Sequence, residues 1–189
     1  MRTLTDNAVT DGPRRSAADL ARSLLSGLGT RWAHSEAVAG KVATVADQLP
    51  PNWRASAADA AWLHDIGRSP RVADTGLHPL DGARWLHAHG WPETTCRLVA
   101  WHSAPLAESR LRGLGDALVS AFEPPPDLPL AALTWADMTT SPEGESCSVE
   151  DRLAEILARY PPDSIVHRAT AASANELRAA VTLIEHLAG

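Results

Sequence analysis

The sequence predicts an all-α fold. Three observations carry that reading. Apolar residues recur at three- and four-residue spacing, no stretch alternates with the period of a strand, and Pro, Gly and Ser fall where apolar segments begin and end. Ser16 is placed to cap AADLARSLLSGLG, in which Leu20, Leu24 and Leu25 share a stripe, and Gly27 and Gly29 stop it. TRWAHSEAVAGKVATVADQL carries His34, Val38, Val42 and Val45 at near-helical spacing and ends at Pro50-Pro51. An alanine-rich third helix covers 53–66 and closes at Gly67, before the loop RSPRVADTGL. His78 is the expected N-cap of a fourth helix that starts at Pro79 and runs to Gly90. Pro92 opens a fifth, ETTCRLVAWHS, which stops near Ala104-Pro105. A helix over 114–122 precedes the loop EPPPDLP, and PLAALTWADM, 129–138, is apolar and helical. After the loop TTSPEGESCS, Ser148 caps VEDRLAEILARY, whose first turn holds Glu150 and Asp151, where the helix dipole favours acids. The last helix spans roughly 170–187.

Residues 1–15 are polar and are expected to form a mobile leader; 16–189 then make one domain including the C-terminal helices. A hydrophobic share of 44% is enough to build a core. The net charge of −6 argues against a nucleic-acid polymer or an anionic membrane as partner, because either needs a basic face. It leaves room for a small anionic substrate held by a metal. Cys96 and Cys147 are the only cysteines, so no disulfide framework is implied and a cytoplasmic setting fits. No segment is apolar and long enough to be a signal core or to span a bilayer.

The chemistry starts at AAWLHDIG, residues 60–67, where an apolar helix ends in His64 and Asp65. An unpaired buried carboxylate is costly, so Asp65 needs a cation, a hydrogen-bond network or a metal. His34, His78, His102 and Asp137 share the setting, each on a helix or at its end within an apolar stretch. Taken singly, each histidine reads as a core or capping residue, and His87, His89, His167 and His186 stay in that class. Six imidazole and carboxylate groups in like settings suit Fe, Mn, Zn or a similar ion. The cysteines lack the paired spacing of a zinc–thiolate site.

The ordered set His34, His64-Asp65 and Asp137, with the local text RWAHSEAVA, LHDIG, HPLDGARWL and LTWADMTT, resembles the HD-domain superfamily of metal-dependent phosphohydrolases. The resemblance covers most of residues 16–140. It implies an HD-domain helical bundle in which ligands converge from several helices. It also implies that His34, His64, Asp65 and Asp137 hold one metal, and that His78 and His102 hold a second with Asp65 bridging. The implied cofactors are two divalent transition metals, Fe or Mn, with single-metal occupancy in many relatives. The implied activity is hydrolysis of a small phosphate ester, a nucleotide among the candidates, by metal-activated hydroxide. Some members with the same six ligands are mixed-valent di-iron oxygenases. The phosphonate-cleaving branch of these carries a Tyr and a Glu shortly before its first His, and residues 20–33 contain neither. A metal-binding regulatory module is the remaining alternative.

Arg68 directly follows HDIG and is the first candidate, with Asp65, for a catalytic role and for holding phosphate oxygens in a bidentate clamp. Arg31, one turn before His34, Lys41, two turns after it, and Thr139 are further substrate-binding candidates; Thr140 and Glu143 lie in the same loop as Thr139. Asp81 in HPLDGA is expected either to orient a ligand histidine or to serve the helix dipole. Seven tryptophans are read as core, without inferring a stacked base.

Overall fold

A computed structural model describes residues 16–188, so the leader expected over 1–15 lies outside the described residues. Ten α-helices occur among these residues, with no strand beyond one isolated bridge between Thr140 and Ser146. They are α1 (Ala17–Leu25), α2 (Arg31–Thr44), α3 (Pro51–Leu63), α4 (His78–Ala88), α5 (Glu93–Trp101), α6 (Leu106–Leu111), α7 (Gly115–Ala121), α8 (Asp127–Met138), α9 (Val149–Arg159) and α10 (Ile165–Ala188). Short 3₁₀ turns cover Ala46–Gln48 and Ile66–Arg68. The fold is therefore all-α.

Local signals act where they were read. The Ser16 hydroxyl accepts the Asp19 N–H at 3.1 Å, and Ser148 forms a reciprocal capping box with Asp151. Several boundaries differ: α2 stops at Thr44, short of Pro50-Pro51, and α3 and α8 each start two residues early, at Pro51 and Asp127. The third helix ends at Leu63 rather than 66, and Asp65 stands between it and the 3₁₀ turn. His78 is the first residue of α4 rather than a side-chain cap, because its ring turns inward. The last helix starts at Ile165, and α6 arises in a stretch with no predicted element.

α3 buries Trp53, Ser56, Ala57, Ala60, Ala61 and Leu63 and packs against α1, α2, α5 and α8. Its alanines allow close helix approach. α8 buries eight of its twelve residues, so Asp137 projects from a thoroughly enclosed helix. α10 lays Ala169, Ser173, Leu177, Val181 and Ile184 along α8 and also meets α6 and α9. A smaller apolar cluster of Met138, Leu153, Leu177 and Val181 fastens α9 and α10 to the end of α8.

One close approach fixes the centre. A Cβ on Gly67 would lie 2.0 Å from the His78 carbonyl oxygen and 2.8 Å from the Gly82 nitrogen. Only glycine lets the 3₁₀ turn sit on the start of α4, which brings Asp65 and Arg68 beside His78.

Candidate metal centre

Two groups of three side chains present ligand atoms within 4.8 Å of one another: His34, His64 and Asp137, then Asp65, His78 and His102. They come from mid-α2, the end of α3, the start of α4, the end of α5 and the end of α8. The rings of His34, His64, His102 and His78 form a chain of edge contacts with centroids 5.2–5.4 Å apart.

Backbone carbonyls set the direction of the ring nitrogens. Nδ1 of His34 donates to Ser141 O at 2.9 Å, Nδ1 of His64 to Ala61 O at 2.9 Å, and Nδ1 of His102 to Val99 O at 2.7 Å. In the neutral ring each Nε2 is then left as a lone pair facing the centre. The His34 Nε2 faces Asp137 Oδ1 at 3.0 Å. The His64 Nε2 is buried with no hydrogen-bond partner, 4.0 Å from both Asp65 Oδ2 and Asp137 Oδ1. The His102 Nε2 faces His78 Nε2 at 3.3 Å. His78 Nε2 also accepts from Arg68 at 3.0 Å and lies 3.3 Å from Asp65 Oδ1. Four imidazoles and two carboxylates converge on this space, a set of nitrogen and oxygen ligands that a divalent cation fits. An orphaned buried ring nitrogen costs about 1–3 kcal/mol, and a metal ion is the partner that its carboxylate neighbours also favour.

Asp65 spans both groups, with Oδ1 toward His78 and Oδ2 toward His64. Arg31 donates to Oδ2 at 2.9 Å and Arg68 to Oδ1 at 2.6 Å. Burial alone would raise the Asp65 carboxyl; Arg68, His64, His78 and Arg31 override it and hold the group well below the usual carboxylate range. Asp137 is likewise pushed up by burial and held well below that range by the His34 hydrogen bond and the neighbouring imidazoles. Burial lowers His34, yet Asp137 beside it wins and raises its pKa overall. Burial dominates for His64, which falls to about 4, and for His78, where Arg68 adds to the fall.

Ser103 and Ala104 follow His102 with φ of 53° and 55°. Two consecutive non-glycine residues in the left-handed region cost about 1 kcal/mol or more each. The turn aims the Ser103 hydroxyl at Asp137 Oδ2 and its N–H at the Thr134 hydroxyl. Ser103 carried no sequence signal, since its role comes from this backbone turn.

A cleft of ≈ 480 Å³ opens on the centre, and Arg31, Arg68, Asp65, His78, His102 and Asp137 all line it. Lys41 and Thr139 do not: the Lys41 ammonium donates to the Thr139 carbonyl and hydroxyl, so they satisfy each other away from the cleft. Thr140 turns its hydroxyl onto Ala136 O, and Glu143 pairs with Ser141, whose carbonyl holds His34. Asp81 orients no histidine. It accepts the N–H groups of Asp74, Thr75 and Gly76 and the Thr75 hydroxyl, tying down the loop before α4. No tryptophan lines the cleft; Trp32 and Trp62 stack on each other at 5.5 Å, packed against the core. Arg112, Arg152, Arg159 and Tyr160 line its far side, and none had been singled out in the sequence. The seven-residue spacing of Arg152 and Arg159, two turns on one helix face, was the available signal.

The chain matches no protein-family model, no curated protein and no solved structure.

Proposed function

We propose that the chain is a metal-dependent phosphohydrolase acting on a small phosphate ester, with nucleotides among its candidate substrates. The single observation that carries this is the pairing of two histidine–carboxylate triads around Asp65, open to a cleft that also presents Arg31 and Arg68. The resemblance to the HD-domain superfamily supports the same reading. His34, His64 and Asp137 would hold one ion, His78 and His102 the second, and Asp65 would contact both. Nitrogen and oxygen donors of this kind suit Fe or Mn. Divalent ions so held supply Lewis acidity toward a phosphoryl oxygen and lower the pKa of water.

The chain's own residues do the rest. Backbone carbonyls of Ala61, Val99 and Ser141 lock three imidazoles in one tautomer and orientation. Arg68 and Arg31 already engage a carboxylate, and their donors match a phosphoryl group in the same way. Asp65 keeps both guanidiniums aimed at the centre until an anion arrives. No helix of the described residues is long and apolar enough to cross a membrane.

The test is phosphate release by protein loaded in turn with Mn²⁺ and Fe²⁺, screened against nucleotides, dinucleoside polyphosphates and generic phosphate esters. Release is expected from at least one class and is expected to vanish in Asp65→Ala. No release with two irons bound per chain would replace the hydrolase with a mixed-valent di-iron oxygenase. No release and no bound metal would leave a regulatory module.

A further inference from the structure

Five of the chain's seventeen basic residues line one cleft, alongside three acids, in a protein whose net charge is −6. Arg31 and Arg68 flank the metal centre. The other three, Arg112, Arg152 and Arg159, are supplied by α6's end and by α9.

Arg152 is the informative one. Only 7% of it is exposed, its Nε has no hydrogen-bond partner, and it belongs to the cleft lining. Its one hydrogen-bonded acceptor, Glu155 at 2.5 Å, is shared with Arg159, so a single carboxylate lies between two guanidiniums. The Nε itself is closed off from the cleft; what the cleft meets is two guanidiniums sharing one carboxylate, which leaves positive charge over for an anion to offset. Arg112 is held by Glu108 at 2.7–2.8 Å and lies beside the loop that Asp81 ties down next to His78. Tyr160, the residue after α9, lines the same cleft as Arg68, so this wall and the metal side belong to one space. A volume of ≈ 480 Å³ suits one metabolite-sized molecule reaching both.

We propose that Arg152 and Arg159, with Arg112 beside them, form a second anion subsite, and that the substrate is a small molecule carrying two separated anionic groups. One group faces the metal side with Arg31 and Arg68; the other, a phosphate or a carboxylate, meets the arginine wall. Guanidinium forks serve both chemistries. The assignment of the first group rests on the phosphohydrolase reading; the second subsite does not.

The test is calorimetric titration of the full chain, stripped of metal and then loaded with Mn²⁺. The probes are ethylphosphonate, with one anionic end, and 3-phosphonopropionate and 4-phosphonobutyrate, with two. The two-ended probes are expected to bind about tenfold more tightly than ethylphosphonate, the margin of about one charge-assisted contact. Arg159→Gln is expected to erase that margin while leaving ethylphosphonate binding in place. Arg159 is about a third exposed, so its replacement spares the core, and Arg112→Gln provides a second variant. Equal affinity for all probes in the wild type, or a margin that survives both variants, overturns the subsite. A margin that holds in a protein releasing no phosphate sinks the hydrolase and keeps the subsite; release with no such margin does the reverse.

Discussion

The Nε2 of His34 lies 3.0 Å from Oδ1 of Asp137, while the opposite ring nitrogen points at the Ser141 carbonyl at 2.9 Å. Both partners are acceptors. The ring satisfies both only as an imidazolium, or with a metal cation in place of the Nε2 proton. The raised pKa of His34 expresses the first arrangement, and metal loading would exchange it for the second.

Metal binding should therefore release a proton from His34. Its folded pKa lies above 6.5, so the stability it contributes is full below pH 6.5 and is lost as pH rises through the folded value. Metal affinity should rise over the same range. Titrating Mn²⁺ into metal-free protein at pH 6.5, the ordinary value for a histidine, in two buffers of different ionisation enthalpy, should show net proton release. Identical heats in both buffers would rule this out.

His64 runs in the opposite direction. Its pKa falls from 6.5 to about 4 on folding, so the unfolded chain binds the extra proton between those values. Its contribution is present above pH 6.5 and is lost as pH falls toward 4, on the order of 3 kcal/mol in all. His78, also lowered, adds to the slope. Urea unfolding of metal-free protein between pH 7 and pH 4.5 should show stability falling with acid, and His64→Gln should flatten that fall. An unchanged slope in the variant would assign it elsewhere.

Each triad should hold its own ion, with Asp65 shared between them. Wild-type protein is expected to hold two Mn²⁺ or Fe²⁺ per chain, with His102→Ala losing one and His34→Ala losing the other. Replacing His102 also strands the buried Val99 carbonyl and opens a cavity, a cost of about 1–3 kcal/mol or more, so the Tm of each variant is read alongside its metal content. Elemental analysis after dialysis reads the count, and loss of both ions in either variant would show one coupled site.

Gly67→Ala should disable the centre without touching a ligand. The added methyl would stand 2.0 Å from backbone at His78, where no flexible side chain can yield. Overpacking of this kind costs about 1–3 kcal/mol or more, lowering Tm by several degrees in a domain of this size. The displaced 3₁₀ turn should also weaken metal binding at Asp65 and His78. A variant with wild-type Tm and metal content would show that the turn can move freely.

Local sequence determined the helical character, the Ser16 and Ser148 caps, the proline and glycine boundaries, and the histidines and carboxylates set within apolar stretches. Each of these depends on residues within a turn or two of one another. The short α6 and the early start of α10 escaped, because neither carries a clear apolar stripe and both are held by packing against each other. Asp81 and Lys41 were placed near the chemistry by sequence distance, and the fold spends them instead on a loop and on Thr139. The division of six candidate ligands into two triads, the open Nε2 of His64 and the arginine wall were decided only by tertiary structure. Arg112, Arg152 and Arg159 lie outside the motifs that mark the metal ligands along the chain. They become a site because the apolar cluster of Met138, Leu153, Leu177 and Val181 seats α9 and α10 against α8, and burial then sets which donors keep a partner.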